Sequence, residues 1–139
     1  MFLLDVNLWL ALTFQKHVHH LAAKTWFDQA PDASCFFCRL TQQGFLRLAT
    51  NPKAFGGDAV PMIDAWRLYD LFLSDSRVQI AGEPPGLESR WRIHTQTQLF
   101  SNKVWSDAYL AAFSQAAGLE LITFDKGFSQ YQGLKHTIL

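Results

Sequence analysis

A short apolar segment near the carboxyl end, held between a glycine and an acid, most constrains how this chain folds. Residues 119–124 follow Gly118 and precede Asp125, and an amphipathic pattern that begins at Trp105 leads up to the glycine. This order predicts a helix, a glycine stop, a buried strand and an acid at the end of the strand. A helix followed directly by a buried strand is typical of an α/β fold.

The amino terminus repeats the arrangement, since residues 2–4 are predicted as a strand that ends at Asp5, with a helix from Asn7. Between the two ends we predict helices over 17–30, over 39–50 with Thr41 as N-cap, from Pro61 to about 73, and after a turn at 82–86. We predict strands over 35–38 and 77–81 and an edge strand over 134–139. Residues 51–58 are predicted as a loop. The alternation predicts a single α/β domain over residues 1–139: a mostly parallel sheet with helices on both faces.

Composition limits the classes of function. Twelve basic and twelve acidic residues cancel, so a nucleic-acid role requires local clusters of charge rather than a net charge. A hydrophobic content of 49% predicts a full core. Because Asp5 and Asn7 interrupt the first apolar run, we expect no signal peptide and no membrane span, and a cytoplasmic location.

The two cysteines form a CxxC motif, which invites a redox or zinc interpretation. Cys35 and Cys38 lie in a predicted buried strand, where positions three apart point to opposite faces. No second cysteine pair is present to complete a zinc site. We therefore predict two reduced thiols in the core.

Three acids occupy equivalent places in the predicted sheet. Asp5 and Asp125 follow strands, and Asp107 lies in the first turn of a helix. Strand carboxyl ends and helix starts meet at the same rim of an open α/β sheet. Carboxylates gathered there predict a site for Mg²⁺ or Mn²⁺, which prefer oxygen ligands and promote attack of water on a phosphodiester. Each acid alone is also explained as a helix cap or a turn residue.

Other interpretations remain open at this point. A phosphoryl transferase with Asp5 as nucleophile is disfavoured, because no second acid and no strand-end lysine accompany it. His17 and His20 are interpreted as an exposed helix start, as a metal-binding pair, or as a contact for RNA or a partner. The residues Arg90, Trp91, Arg92 and His94 form the densest basic and aromatic cluster, and they predict either a solvated helix face or a surface for RNA or a partner protein.

The segments MFLLDVNLWLAL, LTQQGFLRLATNP and WSDAYLAAFSQAAGLELITFDKGF resemble the motifs of PIN-domain ribonucleases, specifically the VapC toxins of toxin-antitoxin pairs. The resemblance spans nearly the whole chain. It implies a three-layer α/β/α sandwich, a Mg²⁺ or Mn²⁺ site, endonuclease cleavage of structured RNA such as tRNA, a homodimer, and a cognate VapB-like antitoxin.

The resemblance also implies roles for individual residues. Asp5, Asp107 and Asp125 correspond to the metal-binding and catalytic acids. The family's remaining glutamate falls on Gly44, so Gln43 or Glu88 is the candidate replacement, or the site binds one metal. Auxiliary positions are Asn7, Thr41, Gln43 and Ser106, and candidate phosphate contacts are Arg39, Arg47, Lys53 and Lys126. The incomplete acidic set leaves an alternative, a PIN-like module that binds RNA or a partner and cleaves weakly or not at all.

Overall fold

A five-stranded parallel sheet in the order β3-β2-β1-β4-β5 organises the computed structural model, which describes residues 1–139. The strands are β1 (Phe2–Leu4), β2 (Cys35–Phe37), β3 (Val78–Ile80), β4 (Glu120–Thr123) and β5 (His136–Ile138). The helices are α1 (Val6–Thr13), α2 (His20–Phe27), α3 (Arg39–Ala49), α4 (Pro52–Phe55), α5 (Met62–Leu73), α6 (Leu87–Thr95) and α7 (Val104–Ala117), with 3-10 turns at Gly56–Asp58 and Lys126–Gln130. None of the helices combines the length and the apolar character required to cross a membrane.

Neighbouring strand residues point to opposite faces of the sheet and enter two separate cores. Leu4 and Ile122 pack with α1, α2, α3 and α5 on one face, around Trp9, whose ring stacks on Phe37 with 3.7 Å between centroids. Leu3 packs with α6 and α7 on the other face. The predicted α/β/α sandwich is therefore confirmed, and every strand pair is parallel.

The cysteine prediction is also confirmed. Both thiols are free and buried, and Cys35 and Cys38 belong to the cores on opposite faces of the sheet. Burial raises the pKa of each thiol. Both are therefore neutral packing groups at physiological pH.

Three local predictions are wrong. The predicted N-cap Thr41 is the third residue of α3, and Cys38 caps the helix; the Thr41 hydroxyl accepts a hydrogen bond from the Cys38 N–H at 2.9 Å. Residues 52–58 form α4 and a 3-10 turn instead of a loop, because Asn51 caps the N–H of Lys53. The second helix begins only at His20, since the His17 ring accepts from the His19 N–H and holds a turn there.

Candidate active site

Sheet topology brings the predicted acids to one rim. Strand β1 lies beside β4 in a register that pairs Leu4 with Ile122, so both strands end at the same level. Asp5 directly follows β1, Asp125 lies two residues beyond β4, and Asp107 occupies the first turn of α7. Asp5 and Asp107 line a common cleft of about 290 Å³, which we call the carboxylate cleft. Its other polar lining residues are Gln43, Arg47 and Ser106.

Asp5 is held rigidly at the floor of the carboxylate cleft. Its side chain is 8% exposed. One carboxylate oxygen accepts from the Val6 N–H at 2.6 Å and caps α1, and the other accepts from the Thr123 hydroxyl at 2.7 Å. A carboxylate held from two sides is pre-organised, because neither oxygen must reorient to bind a cation.

Thr123, the last residue of β4, links the elements around Asp5. Its hydroxyl donates to Asp5 and lies 3.1 Å from the Asn7 amide nitrogen and 3.0 Å from the Asp125 N–H, both of which donate to it. The Asn7 side-chain oxygen in turn accepts from the Phe124 N–H at 3.4 Å. Asn7 therefore holds Thr123 and the end of β4 in place. Sequence reasoning missed Thr123, although a hydroxyl inside the apolar run LITF is a usable signal.

The electrostatics of this rim favour a cation. Burial raises the pKa of Asp5 from about 3.8 to about 6, and the like charges of Asp107 and Asp125 add to the rise, while hydrogen bonds from Thr123 and Val6 oppose it. Burial, and then repulsion from Asp125, raises the pKa of Asp107 as well. The three acids thus lie close enough to repel one another. Repelling carboxylates become more stable when a cation neutralises them.

The donor set is suited to a hard divalent cation. No group of three or more His, Cys, Asp or Glu side chains is arranged to hold a metal ion in this structure. Mg²⁺ retains several waters and takes only one or two carboxylates from a protein in many sites. Asp5 and Asp107 supply two carboxylates of that type to the cleft, whereas Asp125 is exposed and does not line it.

Gly44 occupies the place of the missing glutamate for a steric reason. A Cβ atom added there would lie 2.6 Å from a Val6 methyl carbon, so α3 packs closely on α1 at this point. The neighbouring Gln43 is exposed and lines the carboxylate cleft. Glu88 lies in another cleft, where it accepts a hydrogen bond from Arg92 at 2.9 Å. Of the two candidate replacements, Gln43 is the one that the fold places beside Asp5.

The remaining predicted residues are distributed unevenly. Ser106 and Arg47 line the carboxylate cleft, and Arg39 lies in the adjoining depression beside Gln43. Lys53 lies on α4 and Lys126 follows Asp125, and both are exposed. None of these four basic residues forms an ion pair. The Thr41 hydroxyl is fully buried and bonded to the backbone of Cys38, away from the cleft.

In the folded chain, Trp91, Arg92 and His94 of the basic and aromatic cluster contact different partners. Trp91 packs edge-on against Trp105 and Tyr109, Arg92 pairs with Glu88, and the His94 ring hydrogen-bonds the Gln115 side chain. His17 and His20 likewise have separate surroundings, since the His20 ring hydrogen-bonds the Ala11 carbonyl. No cluster of three metal-binding side chains includes either histidine.

The fold of this chain is that of a known family. The family model for the PIN domain matches residues 2–134, and the chain belongs to that family. Within it, the chain belongs with the VapC ribonucleases. The ribonuclease VapC41 of Mycobacterium tuberculosis is 46% identical over 145 residues, an alignment that covers 100% of this chain and 99% of VapC41.

Solved structures share the fold at lower identity. VapC20 of Mycobacterium tuberculosis, described as a Sarcin-Ricin loop cleaving toxin, superposes with a TM-score of 0.65 at 19% identity over 93% of each chain. VapBC2 of Rickettsia felis, solved with a DNA fragment from its promoter, has a TM-score of 0.67 at 12% identity, covering 99% of this chain and 97% of that chain. At these identities the likeness concerns the fold alone.

Proposed function

We propose that this chain is a Mg²⁺- or Mn²⁺-dependent endoribonuclease and the toxin of a VapBC-type pair. The observation that carries the proposal is the carboxylate cleft, where Asp5 and Asp107 repel each other and Asp125 in a partly buried setting. The high identity to a ribonuclease over its full length supports the same reaction class.

Asp5, Asp107 and Asp125 would hold the metal, with the Gln43 amide oxygen as a neutral supplement. A bound divalent cation lowers the pKa of an attacking water and neutralises charge on a phosphodiester. Thr123 keeps the Asp5 carboxylate in one orientation, and Asn7 holds Thr123. Ser106 is available to position a water or a substrate oxygen. Arg47 lines the cleft, Arg39 lines the adjoining depression and also donates to the Gln42 side chain, and both would bind phosphates of the RNA. Lys53 and Lys126 are further candidates for phosphate contacts.

The proposed substrate is a structured RNA, and tRNA is the first candidate. The description of VapC20 as a toxin that cleaves the Sarcin-Ricin loop supports folded RNA as the substrate class and adds ribosomal RNA as a second candidate. The chain has no net charge to attract polyanions in general. Binding therefore depends on the basic residues beside the cleft, and should weaken steeply with salt.

We also assign a VapB-like antitoxin as partner, a homodimeric state, and a cytoplasmic location. The structure of VapBC2 from Rickettsia felis, with its promoter DNA, supports the antitoxin assignment by fold similarity. An antitoxin that covers the carboxylate cleft would block the nuclease.

The test is a cleavage assay on total cellular RNA with purified protein in Mg²⁺, in Mn²⁺ and in EDTA. The variant Asp107→Asn removes a cleft carboxylate, and Asp70→Asn is the matched control, because Asp70 is exposed on α5 and outside the cleft. Discrete fragments that require metal, persist with Asp70→Asn and disappear with Asp107→Asn are expected. Sequencing the fragment ends identifies the RNA and the cleaved bond. Equal cleavage by both variants would contradict the proposal.

Gly44 favours a second candidate function, a binding module that cleaves weakly or not at all. The chain lacks an acid at this position and the packing against Val6 leaves no room for one. If this second candidate is correct, the protein binds RNA or the antitoxin, but no RNA fragments appear in either Mg²⁺ or Mn²⁺. The same assay, followed by a binding measurement on the folded protein, separates the two functions.

A further inference from the structure

A second cleft, larger than the carboxylate cleft, lies beside α6. It is a cleft of about 760 Å³ between α6, the start of α7 and the turn that precedes α6. Three aromatic rings line it, Trp91, Trp105 and Tyr109, together with the carboxylates of Glu83 and Glu88. We call it the aromatic cleft. Its volume lies within the range of about 300–1,000 Å³ that is typical of small-molecule sites.

The rings of the aromatic cleft are fixed in place. Trp91 lies edge-on to Trp105 at 6.0 Å and to Tyr109 at 5.3 Å between centroids. Its indole N–H donates to the Trp105 carbonyl at 3.1 Å, and the Tyr109 hydroxyl donates to Glu83 at 2.8 Å. Trp105 is nevertheless 54% exposed. A rigid ring with an open face is suited to stacking a flat heterocycle.

The charges in the aromatic cleft select the kind of heterocycle. Glu83 and Glu88 contribute two carboxylates, whereas the lining guanidinium, Arg92, is engaged by Glu88. A phosphate group would be repelled here. One Glu83 oxygen accepts from Tyr109, which leaves the second oxygen able to accept from an amino or imino N–H of a ligand.

The aromatic cleft continues into the carboxylate cleft. A narrower depression of about 270 Å³ shares Trp91, Trp105 and Tyr109 with the first and Gln43 and Ser106 with the second. Arg39 lines this depression. A chain that alternates flat bases and phosphates thus meets aromatic rings, then a guanidinium, then the acidic site.

We infer that the aromatic cleft binds one unpaired nucleobase of the RNA beside the scissile phosphate. The base stacks on Trp105, and its exocyclic amino group donates a hydrogen bond to the Glu83 carboxylate. The inference rests on the proposed function and specifies its substrate class as RNA with an unpaired, amino-bearing base at the cut. A base within a duplex is stacked on both faces and cannot enter a cleft. The site therefore selects loops and bulges within folded RNA.

The test measures binding separately from cleavage. Labelled single-stranded hexamers of A, C and U are titrated with the protein in EDTA and followed by fluorescence anisotropy. We expect A and C hexamers to bind more tightly than the U hexamer, because uracil is the one of these three bases that lacks an exocyclic amino group. Glu83→Gln should reduce that difference, and Trp105→Ala should weaken A and C binding roughly tenfold.

Two further variants make the result specific to the aromatic cleft. Trp105→Phe keeps a stacking ring and should recover most of the affinity. Phe100→Ala removes a fully exposed ring that does not line the aromatic cleft, and should change nothing. Equal losses for Trp105→Ala and Phe100→Ala, or no loss for Trp105→Ala in protein with an unchanged melting temperature, would overturn the inference.

The cleavage assay distinguishes this failure from failure of the proposed function. If the wild-type protein cuts RNA and Trp105→Ala cuts the same bonds at the same KM, the proposed nuclease function stands and the proposed base site is overturned. Loss of antitoxin affinity in Trp105→Ala with unchanged hexamer binding would also overturn the inference and make the aromatic cleft a protein-binding site. Base-dependent hexamer binding by a protein that cuts no RNA would overturn the nuclease and retain the base site.

Discussion

The Asp5 carboxylate is ionised in surroundings that disfavour its charge. It is buried, it faces Asp107 and Asp125, and its compensation comes from two hydrogen bonds. The folded pKa of about 6 lies above the ordinary value near 3.8. Ionised Asp5 therefore destabilises the metal-free fold above pH 6, and this cost disappears once the pH falls below about 4.

Asp5→Asn should accordingly stabilise the metal-free protein. The amide keeps a cap for Val6 without the charge, so we expect a gain of about 1–3 kcal/mol in the free energy of unfolding at pH 7.5, shrinking as the pH falls from 6 to 4. Urea denaturation in EDTA across that range measures it, with Asp70→Asn as control. Added Mg²⁺ should raise the melting temperature of wild type but not of Asp5→Asn. A variant that is less stable than wild type at pH 7.5 would contradict this account.

Gln43 gives a complementary prediction, because it lines the carboxylate cleft without adding charge. Gln43→Glu restores a third acid to the cleft. The Mg²⁺ concentration for half-maximal cleavage should fall several-fold, while the metal-free protein loses stability through added repulsion. Cleavage rates over a Mg²⁺ titration measure the effect, and the exposed Gln132→Glu, outside the cleft, serves as control. An unchanged Mg²⁺ requirement would show that position 43 does not reach the ion.

At the scale of elements, the contact between α1 and α3 sets the width of the site. Gly44→Ala would place a methyl group 2.6 Å from a Val6 methyl carbon and force the two helices apart. We expect a loss of about 1–3 kcal/mol in the free energy of unfolding. Val6→Ala in the same chain removes the clash, so the double variant should lose less than the sum of the two single changes.

A neutral glycine substitution provides the control for that cycle. Gly57→Ala adds a methyl group that meets nothing within 4 Å, so chemical denaturation should find its stability close to that of wild type. Strict additivity of Gly44→Ala and Val6→Ala would mean that the helices do not meet through these side chains.

The elements that were predictable from the sequence are those with a strong local signal. The apolar runs at 2–4 and 119–124 became β1 and β4, and Gly118, with φ of 66°, ends α7 as the glycine predicted. The helix at 52–55 was missed because Pro52 and the two following glycines indicated a loop, and the Asn51 cap was not recognised from the sequence. The turn at His17 depends on a side-chain hydrogen bond, which periodicity does not encode.

The candidate site was likewise predictable only where the signal lies within one segment of the sequence. The strand-end rule predicts Asp5, Asp107 and Asp125 at one rim from sequence alone. In the structure Asp5 and Asp107 line one cleft, and Asp125 follows β4 without lining it, so the three-acid metal site stays a prediction. Thr123 and the aromatic cleft depend on which strands and helices become neighbours. Trp91 and Trp105 are 14 positions apart and meet only when α6 packs on α7. Periodicity within one element cannot report such a contact.

At the scale of the whole molecule, α5 leaves apolar side chains in water. Met62 is 75% exposed, Ile63 62% and Leu71 66%, and several exposed large apolar side chains on one helix indicate an interaction surface. We predict a homodimer that uses α5. Sedimentation should give twice the 15.8 kDa chain mass for wild type and the monomer mass for Ile63→Glu. Leu21→Glu, on α2 and 77% exposed, should remain dimeric; a wild-type mass of one chain would refute the prediction.

The hydrogen bond between Thr123 and Asp5 joins residues 118 positions apart. During synthesis, Asp5, Gln43 and Arg47 all leave the ribosome well before β4 is translated. Until β4 pairs with β1, nothing fixes the second oxygen of Asp5. A ribosome that stops before Thr123 therefore releases a chain in which this site cannot assemble, however complete its other half is.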